Sequence, residues 1–300
     1  MKSACRDQQC AAFCIFASLH QAETSQGSDH HYLNLHRSMK ITFFKYQGTG
    51  NDFIMIDNRS GFFPLSGHIV RSLCDRKFGI GADGLILMNR SGRYDFKMIY
   101  HNSNGDESTM CGNGGRCLAA FARRTGSPGL SFTFEAIDGL HHALIVDENS
   151  HSSVVRLKMK DVVFPEIMNV NSIIDSGSPH VIKQVKNLKD LDIRKLGREI
   201  RFSDPFREQG VNVNFIETTH NRNYIRTYER GVEDETLSCG TGTVASALLL
   251  ASQAPESVDP IQFQTLGGEL TVHFKRSKNL FHDVWLEGPA SFVFQGEIII

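Results

Sequence analysis

The chain has 300 residues, of which 40% are hydrophobic, and its formal net charge at pH 7 is −1. This length suffices for two domains with a core each, and the balanced charge does not indicate a nucleic-acid or membrane partner. No run approaches the roughly 18 apolar residues of a membrane-spanning helix. The seven cysteines do not form the dense framework of a secreted domain, so we expect a reducing, cytoplasmic location.

Residues 1–38 differ from the rest of the chain because they lack helical or strand periodicity and end in polar sequence. We expect them to be a disordered extension, or the product of an upstream start, with translation beginning at Met39. A targeting segment is the alternative, since Lys2 and Arg6 precede an apolar stretch.

From residue 39 the first half of the chain alternates short strand-like runs with glycine-rich turns. Residues 116–124, apolar and rich in small side chains, predict a buried helix, and 68–76 predict a shorter one. β-branched and aromatic runs predict strands at 39–46, 53–57, 85–88, 94–101, 131–136, 142–147 and 154–159.

The second half repeats this plan. Helices are predicted over 188–197 and 244–252, and strands at 177–181, 212–218, 224–228, 261–265, 269–275, 284–287 and 290–299. The pattern predicts an α+β fold with two pseudo-symmetric domains, each a curled, mostly antiparallel sheet around a central buried helix. We expect the first repeat domain to cover residues 39–165 and the second to cover 166–300.

Two stretches carry the repeat most clearly. Residues 100–120 read YHNSNGDESTMCGNGGRCLAA and residues 228–246 read YERGVEDETLSCGTGTVAS. When Cys111 is placed on Cys239, the first tyrosine, the acidic pair, the Cys-Gly and a later glycine coincide without a gap. A repeat of about 130 residues is too long for a solenoid and indicates two copies of one domain.

In each copy the cysteine precedes a glycine-rich turn that opens a helix. The unpaired backbone N–H groups of a helix start favour a carboxylate and shift a thiol towards thiolate. We therefore take Cys111 and Cys239 as catalytic candidates. Cys74 and Cys117 fit the commoner fate of cysteine, a small buried apolar side chain.

If the two halves face each other, the two thiols approach one cleft from opposite sides. Inversion at a carbon needs one acid–base group on each face and stabilisation of the negative charge that develops on the attached carboxylate. The repeat therefore predicts racemisation or epimerisation at the α-carbon of an amino acid. We expect no cofactor, because neither a P-loop nor a Rossmann fingerprint is present.

Residues 39–300 closely resemble the diaminopimelate epimerase family. The motifs that carry the resemblance are KYQGTGNDF, GIGADG, MCGNGGR, GSPH, GVNVNF, YERG and CGTGT. The resemblance implies that family's fold and the cofactor-independent conversion of LL-2,6-diaminopimelate to the meso isomer, which serves lysine and peptidoglycan precursor biosynthesis. It implies a small-molecule substrate, and a homodimer is the assembly we consider.

The resemblance also assigns roles to residues. In the LL-to-meso direction Cys239 takes the α-proton and Cys111 delivers one to the opposite face. Glu229 takes the reacting amino group, and the backbone of two helix starts holds the reacting carboxylate, namely Gly112, Asn113, Gly240 and Thr241. The distal end of the substrate is held by polar side chains, namely Asn51, Asn102, Asn212 and Arg230. His180, as a structural hydrogen-bonder, and Ser178, which stands where many members have asparagine, are secondary candidates. No residue is assigned to a metal.

Three other functions remain as alternatives. A proline racemase would share the paired thiols but usually has Cys-Gly-His at the first one, where this chain has Cys111-Gly112-Asn113. An amino-acid-binding protein of the same fold would bind ligand without exchanging its α-proton. A metal module built from Cys111, Cys117 and Cys239 lacks the CxxC pairs or close histidines of such sites.

Overall fold

The computed structural model describes residues 38–164, 173–220, 222–254 and 259–300. The extension predicted for residues 1–38, apart from Ser38, lies outside the described residues, and so does the predicted boundary between residues 165 and 166. Residues 38–300 belong to one compact unit. In the described ranges no helix is long and apolar enough to cross a membrane.

The described residues form sixteen strands, four α-helices and one 3₁₀ helix. The elements of the first half are β1 (Lys40–Gly48), β2 (Asn51–Asp57), α1 (Gly67–Cys74), β3 (Gly84–Asn89), β4 (Phe96–Asn102), α2 (Gly112–Arg124), β5 (Ser131–Ala136), β6 (Gly139–Glu148), β7 (Ser152–Lys158) and β8 (Val162–Val163). Those of the second half are β9 (Ile173–Asp175), β10 (Pro179–Gln184), the 3₁₀ helix (Leu188–Asp190), α3 (Ile193–Arg201), β11 (Asn212–Thr218), β12 (Asn223–Glu229), β13 (Asp234–Thr236), α4 (Gly240–Gln253), β14 (Ile261–Thr265), β15 (Gly268–Ser277) and β16 (Leu280–Ile299).

The two halves repeat one succession of strand pairings. In the first, β2 and β3 are parallel, β4 and β5 are parallel, and the other neighbours from β1 to β7 are antiparallel. In the second, β10 with β11 and β12 with β14 are the parallel pairs in an otherwise antiparallel order from β9 to β16. The α+β fold of two mostly antiparallel, pseudo-symmetric halves is therefore confirmed.

Strand β16 connects the two halves. The sequence predicts two strands there, but the structure has one continuous strand of 20 residues. Its beginning pairs with β15, Gly288–Ser291 pair with β7, and the remainder pairs with β1. The chain therefore ends by completing the sheet of the first half.

Helices α2 and α4 are buried on nearly all sides, as the small-residue pattern predicts. Both begin four residues earlier than predicted. Their first turns are rich in glycine, which disfavours an isolated helix but here permits close packing. A Cβ on Gly114 would lie 3.0 Å from Cδ1 of Ile86, and one on Gly115 would lie 3.0 Å from Sδ of Met110. The helix predicted over 188–197 is in fact the 3₁₀ helix followed by α3, which Asp192 caps by accepting a hydrogen bond from the backbone N–H of Lys195.

The packing of α3 on β12 yields a test of the fold. Gly197 is interior to α3, where alanine normally stabilises a helix by about 1 kcal/mol. A Cβ at this position would lie 2.6 Å from Cγ of Tyr228 on β12. We expect Gly197→Ala to lower the free energy of unfolding by about 1–3 kcal/mol, measured by urea denaturation, because the helix must move off the sheet.

The matched control is Lys195→Ala, which changes an exposed side chain of the same helix and should alter stability by less than about 0.5 kcal/mol. A stabilised Gly197→Ala variant would contradict this packing.

Candidate active site

The first turns of α2 and α4 meet at one place. A Cβ built on Gly112 would lie 3.9 Å from Cα of Gly240, and one built on Gly240 would lie 3.8 Å from Cα of Gly112. Both positions also face Cδ2 of Leu286 on β16, at 3.4 Å and 2.8 Å. Glycine at each helix start therefore permits this close approach. Because both helices begin here, their unpaired N–H groups and positive dipole ends converge on the same space.

Cys111 and Cys239 are the N-cap residues of α2 and α4. Each has extended backbone geometry, its carbonyl accepts the first hydrogen bond of its helix, and its side chain makes no cap hydrogen bond. The thiol of Cys111 lies 3.5 Å from Oδ1 of Asn51, and that of Cys239 lies 3.5 Å from Oγ1 of Thr241. The two thiols are close enough that negative charge on Cys111 raises the pKa of Cys239.

Burial dominates the acidity of both thiols. It raises the pKa of Cys111 and raises that of Cys239 well above the ordinary thiol value, and the nearby Glu229 carboxylate acts in the same direction. The backbone N–H groups at the helix starts lower both values, as the sequence predicts, but by less than burial raises them. The expected net shift towards thiolate is therefore wrong for this conformation, because desolvation outweighs the helix dipole.

Cys74 and Cys117 lie in the core, as predicted. Both side chains are buried, and burial raises the pKa of each thiol to about 12. All four cysteines of the described chain are free. Cys111 and Cys239 thus differ from the other two by their position at the helix starts.

Glu229 and Arg230 follow one another at the end of β12 but have different surroundings. The Glu229 side chain is half-buried, and desolvation raises its pKa, although hydrogen bonds from Thr236 and Cys239 oppose this shift. The Thr236 hydroxyl donates to Oε1 of Glu229 at 2.5 Å. Arg230 is exposed, and its Nη1 donates to the carbonyl of Gln209 at 2.8 Å. Its backbone N–H donates to Oδ1 of Asn212 at 3.0 Å.

Asn51 and Asn102 lie at the same end of the first sheet. Asn51 begins β2, and its amide donates to Oδ2 of Asp83 at 2.6 Å while its oxygen faces Cys111. Asn102 ends β4 opposite Gly84, the first residue of β3. Sheet register therefore places both asparagines at one end of the first sheet, and Asn51 is the one in contact with a candidate thiol.

His180 organises the corresponding part of the second half. Its side chain is fully buried, and burial lowers its pKa to about 3. The Asn214 amide donates to Nδ1 at 3.0 Å, so the proton of the neutral ring is on Nε2, which lies 2.9 Å from the hydroxyls of both Thr241 and Ser178. Ser178 in turn accepts a hydrogen bond from the Asn212 amide at 3.1 Å.

The structure also places three unpredicted residues at the site, namely Thr49, Arg116 and Ser238. Asn113 is buried beside Thr49, Arg116 and Ser238, and its side chain hydrogen-bonds with all three. Ser238 immediately precedes Cys239. Arg116 is the last residue of the MCGNGGR motif. The only sequence signal for its importance is a charged residue within a predicted buried helix. Its partner Thr49 comes from a distant part of the chain and could not be inferred from spacing.

Metal binding was one alternative for the cysteines. Among the residues that the structure describes, no three His, Cys, Asp or Glu side chains are grouped as metal ligands would be.

The sequence family follows from comparison with known proteins. The model of the family described as diaminopimelate epimerase matches residues 43–165 and 172–293. A diaminopimelate epimerase from Flavobacterium psychrophilum is 47% identical over 260 residues, covering 86% of this chain and 100% of that protein.

The chain belongs to the diaminopimelate epimerase family.

The family predicted from the motifs is thus confirmed, and with it the class of enzyme, an isomerase. A second diaminopimelate epimerase, from Chlorobaculum tepidum, is 43% identical and covers 84% of this chain and 99% of its own length. The residue roles assigned by resemblance remain predictions, although the geometry brings most of those residues to the two helix starts.

Solved structures with the same fold are more distant in sequence. A Bacillus anthracis phenazine biosynthesis protein of the PhzF family superposes with a TM-score of 0.65 at 16% identity, covering 87% of this chain and 100% of its own. A hydroxyproline epimerase from Agrobacterium vitis, with bound trans-4-hydroxy-L-proline, has a TM-score of 0.62 at 16% identity, with 87% and 93% covered. These similarities concern the fold alone.

The buried, neutral state of His180 predicts a pH dependence. An unfolded chain protonates this residue below about pH 6.5, whereas the folded protein does so only near pH 3. Between these values the unfolded state holds one more proton, so the stability contributed by His180 is present above pH 6.5 and is lost as the pH falls. The slope is about 1.4 kcal/mol per pH unit.

We therefore expect His180→Gln to show a shallower loss of unfolding free energy than the unsubstituted protein between pH 4 and pH 6.5, measured by urea denaturation. His68→Gln changes an exposed histidine and should keep the full slope. Equal slopes for His180→Gln and the unsubstituted protein would show that His180 is not held neutral by burial.

Proposed function

We propose that the protein interconverts LL-2,6-diaminopimelate and the meso isomer by a two-thiol reaction without a cofactor. The observation that carries this proposal is the meeting of two Cys-capped helix starts. A Cβ built on either Gly112 or Gly240 would lie less than 4 Å from Cα of the other. The near-full-length relatives that bear the name diaminopimelate epimerase support this substrate. The product would serve lysine and peptidoglycan precursor biosynthesis.

The reaction moves one proton off the substrate and another on. The Cys239 thiolate removes the α-proton, and the pair of electrons left on carbon delocalises into the attached carboxylate. The Cys111 thiol then protonates the opposite face, so each cysteine ends in the protonation state in which the other began. Two groups are needed, because a base on one face cannot deliver a proton to the other.

The helix starts stabilise the charge that develops in this step. In this proposal the backbone N–H groups of Gly112, Asn113, Gly240 and Thr241 receive the carboxylate, whose negative charge grows as the proton leaves. Water exclusion strengthens these interactions, since an electrostatic attraction increases as the local dielectric falls. The burial that raises the pKa of each free thiol is therefore the same feature that favours the transition state.

The polar residues around the helix starts orient the substrate. Glu229, half-buried beside Cys239, takes the reacting ammonium group. This brings positive charge next to a thiol whose pKa is otherwise raised by the Glu229 carboxylate. Arg230 receives the distal carboxylate at the rim, where its planar guanidinium offers a bidentate fork. Three amides complete the distal site, namely Asn51, Asn102 and Asn212. His180 and Ser178 position Thr241 through their hydrogen bonds.

We also propose a division of the chain, a location and an assembly. The repeated pairings support two domains, 39–165 and 166–300, with the end of β16 crossing back to β1. The cysteines are free and must remain reduced for this chemistry, which supports a cytoplasmic location. A homodimer is the proposed assembly, which sedimentation velocity would test.

Solvent exchange is the direct test of two-thiol inversion. When the LL isomer reacts in D2O and the reaction is stopped early, we expect the meso product to carry deuterium from its first turnover. Recovered LL substrate should remain largely unlabelled, because the proton on Cys239 is shielded while substrate is bound. A single-base enzyme would return its own proton, and early product unlabelled at the α-carbon, measured by mass spectrometry, would refute the mechanism.

Substitution of each cysteine completes this test. Cys111→Ala and Cys239→Ala should each abolish epimerisation, since each removes the only group on one face of the carbon. Cys117→Ala is the matched control, because the Cys117 thiol is buried in α2, the helix that Cys111 caps. This substitution should leave the rate nearly unchanged. Epimerisation near the normal rate in either of the first two variants would rule out the proposed roles.

Recognition of the distal carboxylate predicts the effect of a conservative change at Arg230. Arg230→Lys keeps the charge but loses the fork, so substrate binding should weaken by an amount on the order of 1–3 kcal/mol in kcat/KM. Arg207→Lys, at another exposed arginine, should have no effect. An unchanged kcat/KM in Arg230→Lys would exclude Arg230 from the distal site.

A further inference from the structure

Arg116 is a buried cation in the second turn of α2. Its side chain has 0% solvent exposure and is the largest of the fully buried side chains. Nη2 donates to Oδ1 of Asn113 at 2.9 Å and to Oγ1 of Thr49 at 3.4 Å, and Nη1 donates to the carbonyl of Gly112 at 3.3 Å. In the described part of the chain no Asp or Glu forms an ion pair with it, and Nε has no hydrogen-bond partner there.

A buried, unpaired charge is unfavourable for folding, and a well-packed apolar side chain of similar size would remove that cost. The repeat itself supplies the comparison. The register that places Cys111 on Cys239 places Arg116 on Val244, which is also fully buried in the equivalent turn of α4. The fold therefore accepts an apolar residue at this position. Core packing therefore does not explain why a guanidinium occupies position 116.

The position of the guanidinium suggests that explanation. Arg116 lies one turn behind the start of α2 and holds both Gly112 and Asn113, the residues proposed to receive the reacting carboxylate. Gly288 on β16 leaves room for it, since a Cβ there would lie 3.2 Å from Nε. The arginine also lowers the pKa of the Cys111 thiol.

The same side chain is connected to the second cysteine. The Asn113 amide donates to Oγ of Ser238 at 3.2 Å, and the Thr49 and Ser238 hydroxyls are 2.6 Å apart. Ser238 also donates to the Thr49 carbonyl at 2.9 Å. One buried hydrogen-bond network therefore runs from Arg116 to the residue before Cys239. A displacement of the guanidinium would affect the starts of both helices.

We propose that Arg116 is a positioning residue of the reaction, whose buried guanidinium orders the two helix starts and supplies the counter-charge for the reacting carboxylate. This inference rests on the proposed two-thiol function. Negative charge on the carboxylate increases when the α-proton leaves, so a fixed cation in a water-excluded site favours the transition state more than the bound substrate. Loss of the charge should therefore lower kcat more than it raises KM.

Three variants separate charge from hydrogen bonding and packing. Arg116→Lys keeps the charge, Arg116→Gln keeps donors without charge, and Arg116→Met keeps only volume. We expect kcat to fall by about 100-fold or more in the Gln and Met variants, with a smaller loss in the Lys variant. Arg123→Gln, at an exposed arginine in the last turn of the same helix, is the control and should match the unsubstituted enzyme.

A second measurement separates positioning from a general loss of structure. The pH dependence of Cys111 alkylation by iodoacetamide reports its thiolate, whose charged neighbours are Arg116, Glu229 and Cys239. The midpoint should move to higher pH in the Gln and Met variants and much less in the Lys variant, whereas their melting temperatures should not follow that order. Equal losses in all three variants with an unchanged midpoint would reduce Arg116 to a packing residue and overturn the proposal.

The inference and the proposed function can fail separately. If Cys111→Ala and Cys239→Ala are inactive but Arg116→Gln has normal kcat and KM, only the role of Arg116 is wrong. If a cysteine variant stays active, the two-thiol function is wrong. Should neither neutral Arg116 variant fold, Thr49→Val removes one acceptor of Arg116 and the link to Ser238, and an unchanged kcat in that variant would overturn the proposal.

Discussion

The approach of two helix starts to within van der Waals distance is the constraint on which the rest of the structure depends. Gly112 and Gly240 meet against Leu286, so the sheets that carry α2 and α4 must be held in one relative position. Strand β16 supplies that connection because it pairs in turn with β15, β7 and β1. The glycines within α2 serve the same end, since they let the helix lie close to its sheet.

The convergence of two helices creates an electrostatic environment with opposing terms. Burial disfavours charge on Cys111, Cys239 and Glu229, while the backbone N–H groups and the Arg116 guanidinium favour negative charge in the same space. In this environment desolvation disfavours additional charge on the protein, while the positive potential of the helix starts is available to an arriving carboxylate. His180 fits this description, because it remains an uncharged hydrogen-bonding residue rather than a second cation.

The two halves are alike in topology but not in chemistry. The strand pairings repeat, and each half caps its helix with cysteine, yet one half has Arg116 and Asn113 behind its thiol where the other has Val244 and Thr241. The first half thereby places a fixed charge at the site, and the second places a neutral histidine network. Inversion requires two faces with matching geometry, whereas its two proton transfers differ in direction, so this combination of symmetry and asymmetry suits the proposed reaction.

Much of the fold and of the candidate site was determined by the sequence alone. The internal repeat, the alternation of short apolar strands and the Cys-Gly motifs sufficed for the fold, the family and the two candidate thiols, because these features depend on local pattern and on a register that can be counted along the chain. Strands β5, β11 and β14 have the predicted bounds for the same reason. The single strand β16 was divided at Gly288-Pro289, where local propensity is poor and only its neighbours sustain the pairing.

What tertiary structure decided is the balance of competing energies. The helix-start position of each cysteine favours a thiolate locally, but the sign of the net shift depends on how completely the folded chain excludes water around it. Arg116 is charged in any context, yet its burial and its hydrogen bond to Thr49 arise only when residues 67 positions apart come together. Desolvation and long-range contacts are properties of the assembled fold, and no local pattern contains them.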